Sequence, residues 1–92
     1  MLPFNEKKIG ESTFLREFKE TTKNTELIWH RDAEDRLIKV INSSDWYLQL
    51  DNELPKKLEE GKEYFIERHK YHRVIKGSGN LLIELKKCES TH

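Results

Sequence analysis

The amino-acid sequence predicts an all-β protein folded as a small antiparallel barrel or sandwich. Beyond residue 25, apolar and polar residues alternate with a period of two in several short runs, as they do in strands that bury one face. Turn-forming residues separate these runs, for example at 42–44 and in the sequence GSGN at 77–80. With 92 residues and 35% hydrophobic content, the chain is expected to form a single domain around one core.

The first 25 residues are predicted to form an extension that precedes the barrel. Residues 1–11 show no regular pattern. Ser12 or Thr13 is then suited to cap the N-terminus of a short helix that runs to about Lys23. The apolar stripe of this predicted helix consists of Phe14, Leu15 and Phe18. We expect the stripe to cover part of the core.

Residues 26–86 are predicted to form the strands of the barrel. The alternating runs lie at 26–31, 36–41, 46–51, 63–67, 71–75 and 81–85. Because successive side chains of a strand point to opposite faces, Ile28, His30 and Asp32 are expected to project together. By the same rule His72 shares a face with the apolar Val74. Residues 87–92 are predicted to be a disordered polar tail.

The charge balance argues against a nucleic-acid or membrane partner. Lys and Arg total 17, and Asp and Glu also total 17, so the chain carries no net field that would draw it to a polyanion. Basic residues do interleave with Tyr71 in the sequence HKYHRVIK at 69–76, but the neutral balance makes nucleic-acid binding an unfavoured interpretation. The single cysteine, Cys88, cannot form an internal disulfide.

The expected location is the cytoplasm. No apolar run approaches the roughly 20 residues of a membrane span, and the start MLPFNEKK lacks the apolar stretch of a signal peptide.

A candidate metal site lies in the sequence WHRDAEDR at 29–36. His30 and Asp32 are two residues apart, so both side chains can reach one point, and His72 can meet them from a later strand. Two neutral imidazoles and one carboxylate can hold one divalent metal, such as Fe, Mn, Zn or Ni, with positions left open for a substrate.

Two stretches resemble the paired motifs of the cupin family. Downstream, Gly61 and His72 have the spacing of the first glycine and the histidine of the second cupin motif, whereas Glu67 and His69 stand where that motif has proline and its later glycine. A glycine there normally supplies a positive φ, so His69 predicts either strain or a reshaped turn.

Upstream, the resemblance is to the first cupin motif, an HxH followed by a glutamate. His30 and Asp32 fall on the two histidines, and Arg36 falls on or next to the glutamate. This register implies a minimal single-domain cupin, a cupin-like barrel or jelly roll. The order of WHRD, EDR, a tryptophan strand and YHRVIKG is also similar to short uncharacterised proteins of T4-like phages of marine cyanobacteria, and a phage-encoded protein would work in the host cytoplasm.

Two interpretations of Arg36 follow from that register. In the first, Arg36 lies inside and pairs with Asp32 or Glu34, and the site is a metal-free polar network whose guanidinium binds a carboxylate or phosphate. In the second, Arg36 turns outward, Glu34 or Asp35 completes the ligand set, and a metal binds.

Three classes of function remain open, because cupins include dioxygenases, isomerases, sugar epimerases and binding proteins. The favoured class is a barrel that binds a small anionic ligand or a protein partner through a polar pocket. The expected pocket residues are His30, Asp32, Arg36, Gln49, Tyr64 and His72. The alternative is a metal-dependent enzyme of oxygenase or isomerase type that uses His30, Asp32 and His72.

The third class is a structural or regulatory protein that acts through exposed aromatic residues such as Trp29 and Tyr47. A homodimer is expected in all three cases, because a small barrel exposes strand edges whose backbone groups can pair between two copies.

Overall fold

The computed structural model describes residues 2–88, which form eight strands and one short 3-10 helix. The strands are β1 (Asn5–Lys8), β2 (Thr13–Phe18), β3 (Asp35–Ser43), β4 (Tyr47–Leu50), β5 (Lys56–Lys57), β6 (Glu63–Ile66), β7 (His72–Ile75) and β8 (Leu81–Cys88), with the 3-10 helix at Asn24–Glu26. A five-stranded sheet has the order β1-β2-β8-β3-β6, and a three-stranded sheet has the order β5-β4-β7. Every strand pair is antiparallel, which confirms the predicted all-β antiparallel class.

The core lies between the two sheets and follows the alternation of the sequence. Ile38 and Val40 of β3 lie opposite Leu85 and Ile83 of β8, and all four side chains are buried. Trp46 is fully buried, and its indole Nε1 donates a hydrogen bond of 2.8 Å to the carbonyl of Gly79. That bond satisfies the one polar atom of the ring, so the whole side chain contributes to the core.

The predicted N-terminal helix is wrong, because Thr13–Phe18 is a strand. It pairs along its length with β8, for example Phe14 with Leu85 and Phe18 with Leu81. Backbone hydrogen bonds to a central strand and burial of one face outweigh the weak helical preference of so short a segment. The N-terminal residues therefore belong to the five-stranded sheet, and the predicted division at residue 25 does not separate them from the barrel.

The run at 26–31 does not form a strand. Its first residues close a 3-10 turn, in which Leu27 N donates to Asn24 O at 3.0 Å. Only His30 then joins the sheet, through an isolated antiparallel bridge to His72. The N–H groups of Glu26 and Leu27 are already used in the turn and are not free for a ladder.

The last strand continues past the predicted limit of residue 85 and includes Lys86–Cys88. It does so because β3 pairs with it as far as Asp35 opposite Cys88, and Lys87 N donates to Ser12 O on the other side. Residues 89–92 of the predicted tail lie outside the described residues. Within residues 2–88, no helix has the length and apolar character needed to cross a membrane.

Candidate metal centre and adjoining cavity

The bridge between His30 and His72 brings two imidazoles together. His30 N donates to His72 O at 3.0 Å, and His72 N donates to His30 O at 2.9 Å. The ring centroids are 4.3 Å apart. His72 is buried at 4% exposure, whereas His30 lies at the surface. The two imidazoles therefore extend from the interior of the barrel to its surface.

Each imidazole uses its Nδ1 atom to bind a backbone carbonyl. His72 Nδ1 lies 2.8 Å from Lys70 O, and His30 Nδ1 lies 3.0 Å from Ile28 O. Because a carbonyl oxygen only accepts, Nδ1 is the protonated nitrogen in both rings. When the rings are neutral, both Nε2 atoms present a lone pair, which is the arrangement that a second hydrogen bond imposes on metal-binding histidines.

Burial keeps His72 in the neutral form. The main effect on its pKa is desolvation, which lowers it, and the nearby His30 and Arg36 lower it further. The hydrogen bond to Lys70 and the charge of Asp32 oppose this shift but do not cancel it. The buried Nε2 therefore presents a lone pair and not a proton near neutral pH.

Asp32 directs an unsatisfied oxygen at the same point. Its Oδ1 lies 3.1 Å from Arg36 Nη2, whereas its buried Oδ2 has no hydrogen-bond partner among the described residues and lies 3.3 Å from His72 Nε2. A salt bridge at that distance would require a protonated His72, which the lowered pKa disfavours. Two lone-pair atoms that face one another at this distance repel, and a cation between them removes the conflict.

The three side chains fit a divalent metal. One ligand atom from each of His30, Asp32 and His72 lies within 4.8 Å of the others. Two ligands at about 2.1 Å from one ion can be at most about 4.2 Å apart, so small rotations of the side chains suffice to bring all three into bonding range. Three protein ligands leave coordination positions open, as catalytic metal sites do.

Arg36 lies inside the barrel and orients Asp32. Its Nη2 lies 2.9 Å from Glu34 Oε1 as well as 3.1 Å from Asp32 Oδ1, and all three side chains are at most 22% exposed. Asp35 instead accepts a hydrogen bond of 2.7 Å from Arg68 N. The first interpretation of Arg36 matches this placement. The second does not, because Arg36 is not turned outward and neither Glu34 nor Asp35 points at the centre.

Two predicted pocket residues are not part of this site. Gln49 accepts a hydrogen bond of 2.9 Å from Arg73 Nε and donates one of 3.2 Å to Glu53 O. Tyr64 donates through its hydroxyl to Lys57 O at 2.9 Å and accepts from Glu59 N at 3.0 Å. Both side chains are used to hold neighbouring loops, and neither lines the cavity beside the metal centre.

The turn before β7 supports the candidate metal centre through its backbone. His69, which stands at the glycine position of the second cupin motif, has φ of 63°, so the positive φ is retained without glycine. Its N–H donates a hydrogen bond of 2.7 Å to Asp32 O. The unusual backbone conformation thus fixes the residue that supplies the carboxylate. The His69 side chain is exposed and does not face the centre.

An apolar cavity of about 340 Å³ adjoins the metal centre. Its walls are mainly core side chains, among them Phe18, Ile38, Leu48, Ile66, Val74, Ile83 and Leu85. His30, His72 and Arg36 line it at the metal centre, and Glu26 and Arg16 also reach it. A small number of polar groups in an apolar cavity is typical of a site for a small organic ligand.

Arg16 is one of the cavity residues that the sequence did not predict. In β2 it lies on the same face as Phe14 and Phe18, because the three alternate along a strand. The helical interpretation of this segment assigned Arg16 no role. The signal that could have identified it is the alternation of Phe14, Arg16 and Phe18, which is typical of one buried face of a strand.

Comparisons with known proteins define the fold. No protein-family model matches the sequence, and no curated protein matches it. Solved structures do match. An RmlC-like cupin family protein from Methanocaldococcus jannaschii with a double-stranded β-helix fold superposes with a TM-score of 0.73 at 11% identity, over 96% of this chain and 82% of that one. The fold is that of a cupin. The predicted cupin-like barrel is therefore confirmed.

Two enzymes share this cupin-like barrel over part of their length. A structure of the DMSP lyases RdDddP and RnDddQII matches with a TM-score of 0.72 at 17% identity, over 85% of this chain and 38% of that one. Fe(II)-bound HppE matches with a TM-score of 0.64 at 16% identity, over 83% of this chain and 41% of that one. This chain thus spans about two fifths of either enzyme. The similarity to proteins of cyanobacterial phages stays a prediction.

Proposed function

We propose that this cupin-like barrel binds one divalent metal through His30, Asp32 and His72 and receives a small organic anion in the adjoining cavity. The observation that carries the proposal is the position of Asp32 Oδ2, a buried oxygen without a hydrogen bond that lies 3.3 Å from the Nε2 of a histidine whose proton is on Nδ1. Three lone-pair donors that converge in this way need a cation.

The chemistry of the ligand set indicates which metals fit. Two imidazoles and one carboxylate suit Fe(II), Mn(II), Zn(II) and Ni(II) better than Ca²⁺ or Mg²⁺, which prefer oxygen ligands. When bound, such a metal supplies Lewis acidity and open positions for a ligand oxygen. Arg36 then has a separate role: it offsets part of the negative charge of Asp32 and Glu34 and holds the Asp32 carboxylate in place.

Metal-dependent catalysis of oxygenase or isomerase type is the alternative that the same residues support. Fe(II) is named in the HppE structure, and a lyase is among the structures with this fold. A homodimer is a further proposal. It is supported by β6, an edge strand of the five-stranded sheet that leaves Phe65 56% exposed.

Elemental analysis of protein purified without a histidine tag tests the metal site. The protein is stripped with chelator, reloaded with Fe(II), Mn(II), Zn(II) or Ni(II), and desalted. We expect about one metal per chain in the parent and less than about a tenth of that in His30→Ala and Asp32→Asn, which each remove one of three ligands. His69→Asn is the matched control, because it removes a histidine outside the centre and asparagine tolerates a positive φ.

Folding of each variant is checked by circular dichroism, since loss of metal from an unfolded chain would carry no information. His30 is exposed, so His30→Ala is expected to fold. Equal metal content in the parent and in folded His30→Ala would contradict the proposal.

A further inference from the structure

Arg16 brings a second guanidinium into the cavity, from a strand that contributes no residue to the candidate metal centre. On the five-stranded sheet Arg16 is level with Ile83 of β8, which is level with Val40 of β3. Arg36 lies four residues from Val40 along β3, and two strand spacings separate β3 from β2. At about 3.3 Å per residue and 4.8 Å per strand, the two arginine backbones are offset by about 13 Å along the strands and about 10 Å across them.

The contacts of Arg16 use only one edge of its guanidinium. Its Nε and Nη2 both bind Oε1 of Glu6, at 2.8 and 2.6 Å. Nη1 makes no hydrogen bond within residues 2–88, so the edge formed by Nη1 and Nη2 has a donor to offer. The side chain is 12% exposed and lies over the ring of Phe4, with Cζ 3.8 Å from the ring centroid. Glu6 and Phe4 therefore fix the group in one orientation.

The surroundings of Arg16 select the kind of anion it can bind. Its cavity neighbours include Phe18 and Ile83, which give no further hydrogen bonds. Glu6 already offsets the charge of Arg16, so a dianion such as a phosphate monoester would bring two further negative charges to a neutral pair. A monoanionic carboxylate matches the planar geometry of a guanidinium edge and adds only one charge.

We propose that Arg16 binds the carboxylate of the ligand, so that the cavity takes a small organic monocarboxylate whose apolar body runs from Arg16 toward the metal centre. The proposal rests on the proposed function for the far end of the ligand, which lies near His30 and His72. The volume of about 340 Å³ is near the lower limit of ligand cavities, roughly 300 to 1,000 Å³, and limits the ligand to a short acid. Arg16 is then a specificity-determining residue.

The orientation of a probe acid tests this proposal without a variant. Uniformly ¹³C-labelled hexanoate is added to protein loaded with Mn(II), and paramagnetic broadening of each carbon is measured. We expect the methyl end to broaden more than the carboxylate carbon, because the carboxylate lies on Arg16 and away from the metal. The reverse order, with the carboxylate carbon broadened most, places the carboxylate on the metal and overturns the proposal.

Variants of Arg16 provide the second test, by calorimetric titration with hexanoate and its neutral analogue hexanamide. Arg16→Met is expected to weaken hexanoate binding at least about tenfold and to leave hexanamide binding unchanged. Arg31→Met is the matched control, because Arg31 is exposed, stacks near Tyr71 and does not line the cavity. Should Arg16→Met fail to fold without a partner for Glu6, Arg16→Lys keeps that ion pair but loses the planar edge, and a severalfold weakening is expected.

The outcomes separate this proposal from the metal site. Normal metal content with equal hexanoate affinity in the parent and the Arg16 variants overturns the role of Arg16 alone, as does a parent that binds no hexanoate at millimolar concentration. Absence of metal together with hexanoate binding that depends on Arg16 retains the carboxylate site and refutes the metal centre.

Discussion

His72 Nε2 and Asp32 Oδ2 lie 3.3 Å apart, although no proton lies between them when His72 is neutral. The hydrogen bond from His72 Nδ1 to Lys70 O determines this, because it fixes the tautomer. Arg36 engages the other carboxylate oxygen of Asp32 and so leaves Oδ2 directed at the imidazole. A pair of acceptors arranged in this way is more stable with a cation than without one.

Metal binding should raise the thermal stability of the protein. At a free metal concentration about 100 times the Kd, binding adds about 2.7 kcal/mol to the free energy of unfolding. For a domain of this size we therefore expect Tm to rise by about 10 to 20 °C. Differential scanning calorimetry with Zn(II) and with chelator measures the shift, and Asp32→Asn should show almost none. A shift of equal size in both proteins would mean that the metal binds elsewhere.

The metal-free protein should lose stability as the pH falls below 6.5. Burial lowers the pKa of His72 from 6.5, so in this range the unfolded chain binds a proton that the folded chain does not. His30, Asp32, Arg36 and the carbonyl of Lys70 are the groups that face this imidazole. Above about pH 6.5 the residue is neutral in both states, and below it the free energy of unfolding falls by at most about 1.4 kcal/mol per pH unit.

Urea unfolding in chelator between about pH 7.5 and about pH 5.5 measures this dependence, since the window spans the ordinary histidine pKa. His72→Gln should show a smaller slope than the parent over the same range. A parent whose stability is constant or increases on acidification would refute the assignment to His72.

Removal of Arg36 should destabilise the metal-free protein more than the metal-bound protein. Arg36→Gln leaves Asp32 and Glu34 partly buried without their cationic partner. We expect a loss of about 1 to 3 kcal/mol in the presence of chelator, the range for hydrogen bonds to charged groups. A bound metal neutralises Asp32 in its place, so the loss should be smaller with Zn(II) present. Urea unfolding of both proteins in both conditions gives the four free energies that test this coupling.

Two of the positions with positive φ, His69 and Gly61, should respond oppositely to substitution. His69 has φ of 63° and Gly61 has φ of 81°. A left-handed backbone costs a residue with a side chain about 1 to 2 kcal/mol, and His69→Gly removes this cost. The backbone entropy of glycine offsets part of the gain, so the free energy of unfolding is expected to rise by about 0.5 kcal/mol. Gly61→Ala should lose about 1 to 2 kcal/mol from backbone strain alone, because an added Cβ meets no atom within 4 Å.

Dimer formation through β6 should depend on Phe65. Light scattering after size-exclusion chromatography is expected to give twice the chain mass for the parent and the chain mass for Phe65→Lys, since a charged side chain on an edge strand opposes edge pairing. Leu54→Lys is the matched control, because Leu54 is 85% exposed on the loop after β4. A monomeric parent would exclude the dimer.

The sequence was sufficient to predict the cupin-like barrel and the convergence of His30, Asp32 and His72 at the candidate metal centre. Alternation over several residues placed His72 and Val74 on one inward face, and both line the cavity. The spacing of His30 and Asp32 predicted their convergence even though their segment is not a strand, because neighbours two residues apart can reach one point in several extended conformations. The local pattern is sufficient to predict this contact because His30 and Asp32 are close together in the sequence.

Only the tertiary structure determined the roles of Arg16, Gln49 and Tyr64. The segment TFLREF fits both a helix, through Phe14, Leu15 and Phe18, and a strand, through Phe14, Arg16 and Phe18. Its pairing with Leu81–Lys86, more than 60 residues away, selects the strand and turns Arg16 into the cavity. Hydrogen bonds to neighbouring loops likewise turn Gln49 and Tyr64 away from it. Alternation along the chain does not predict either kind of contact. Gln49 and Tyr64 bond to Glu53 and Lys57, only four and seven residues away, through the geometry of the intervening turns. Arg16 reaches the cavity only because two strands far apart in the sequence pair in the folded sheet.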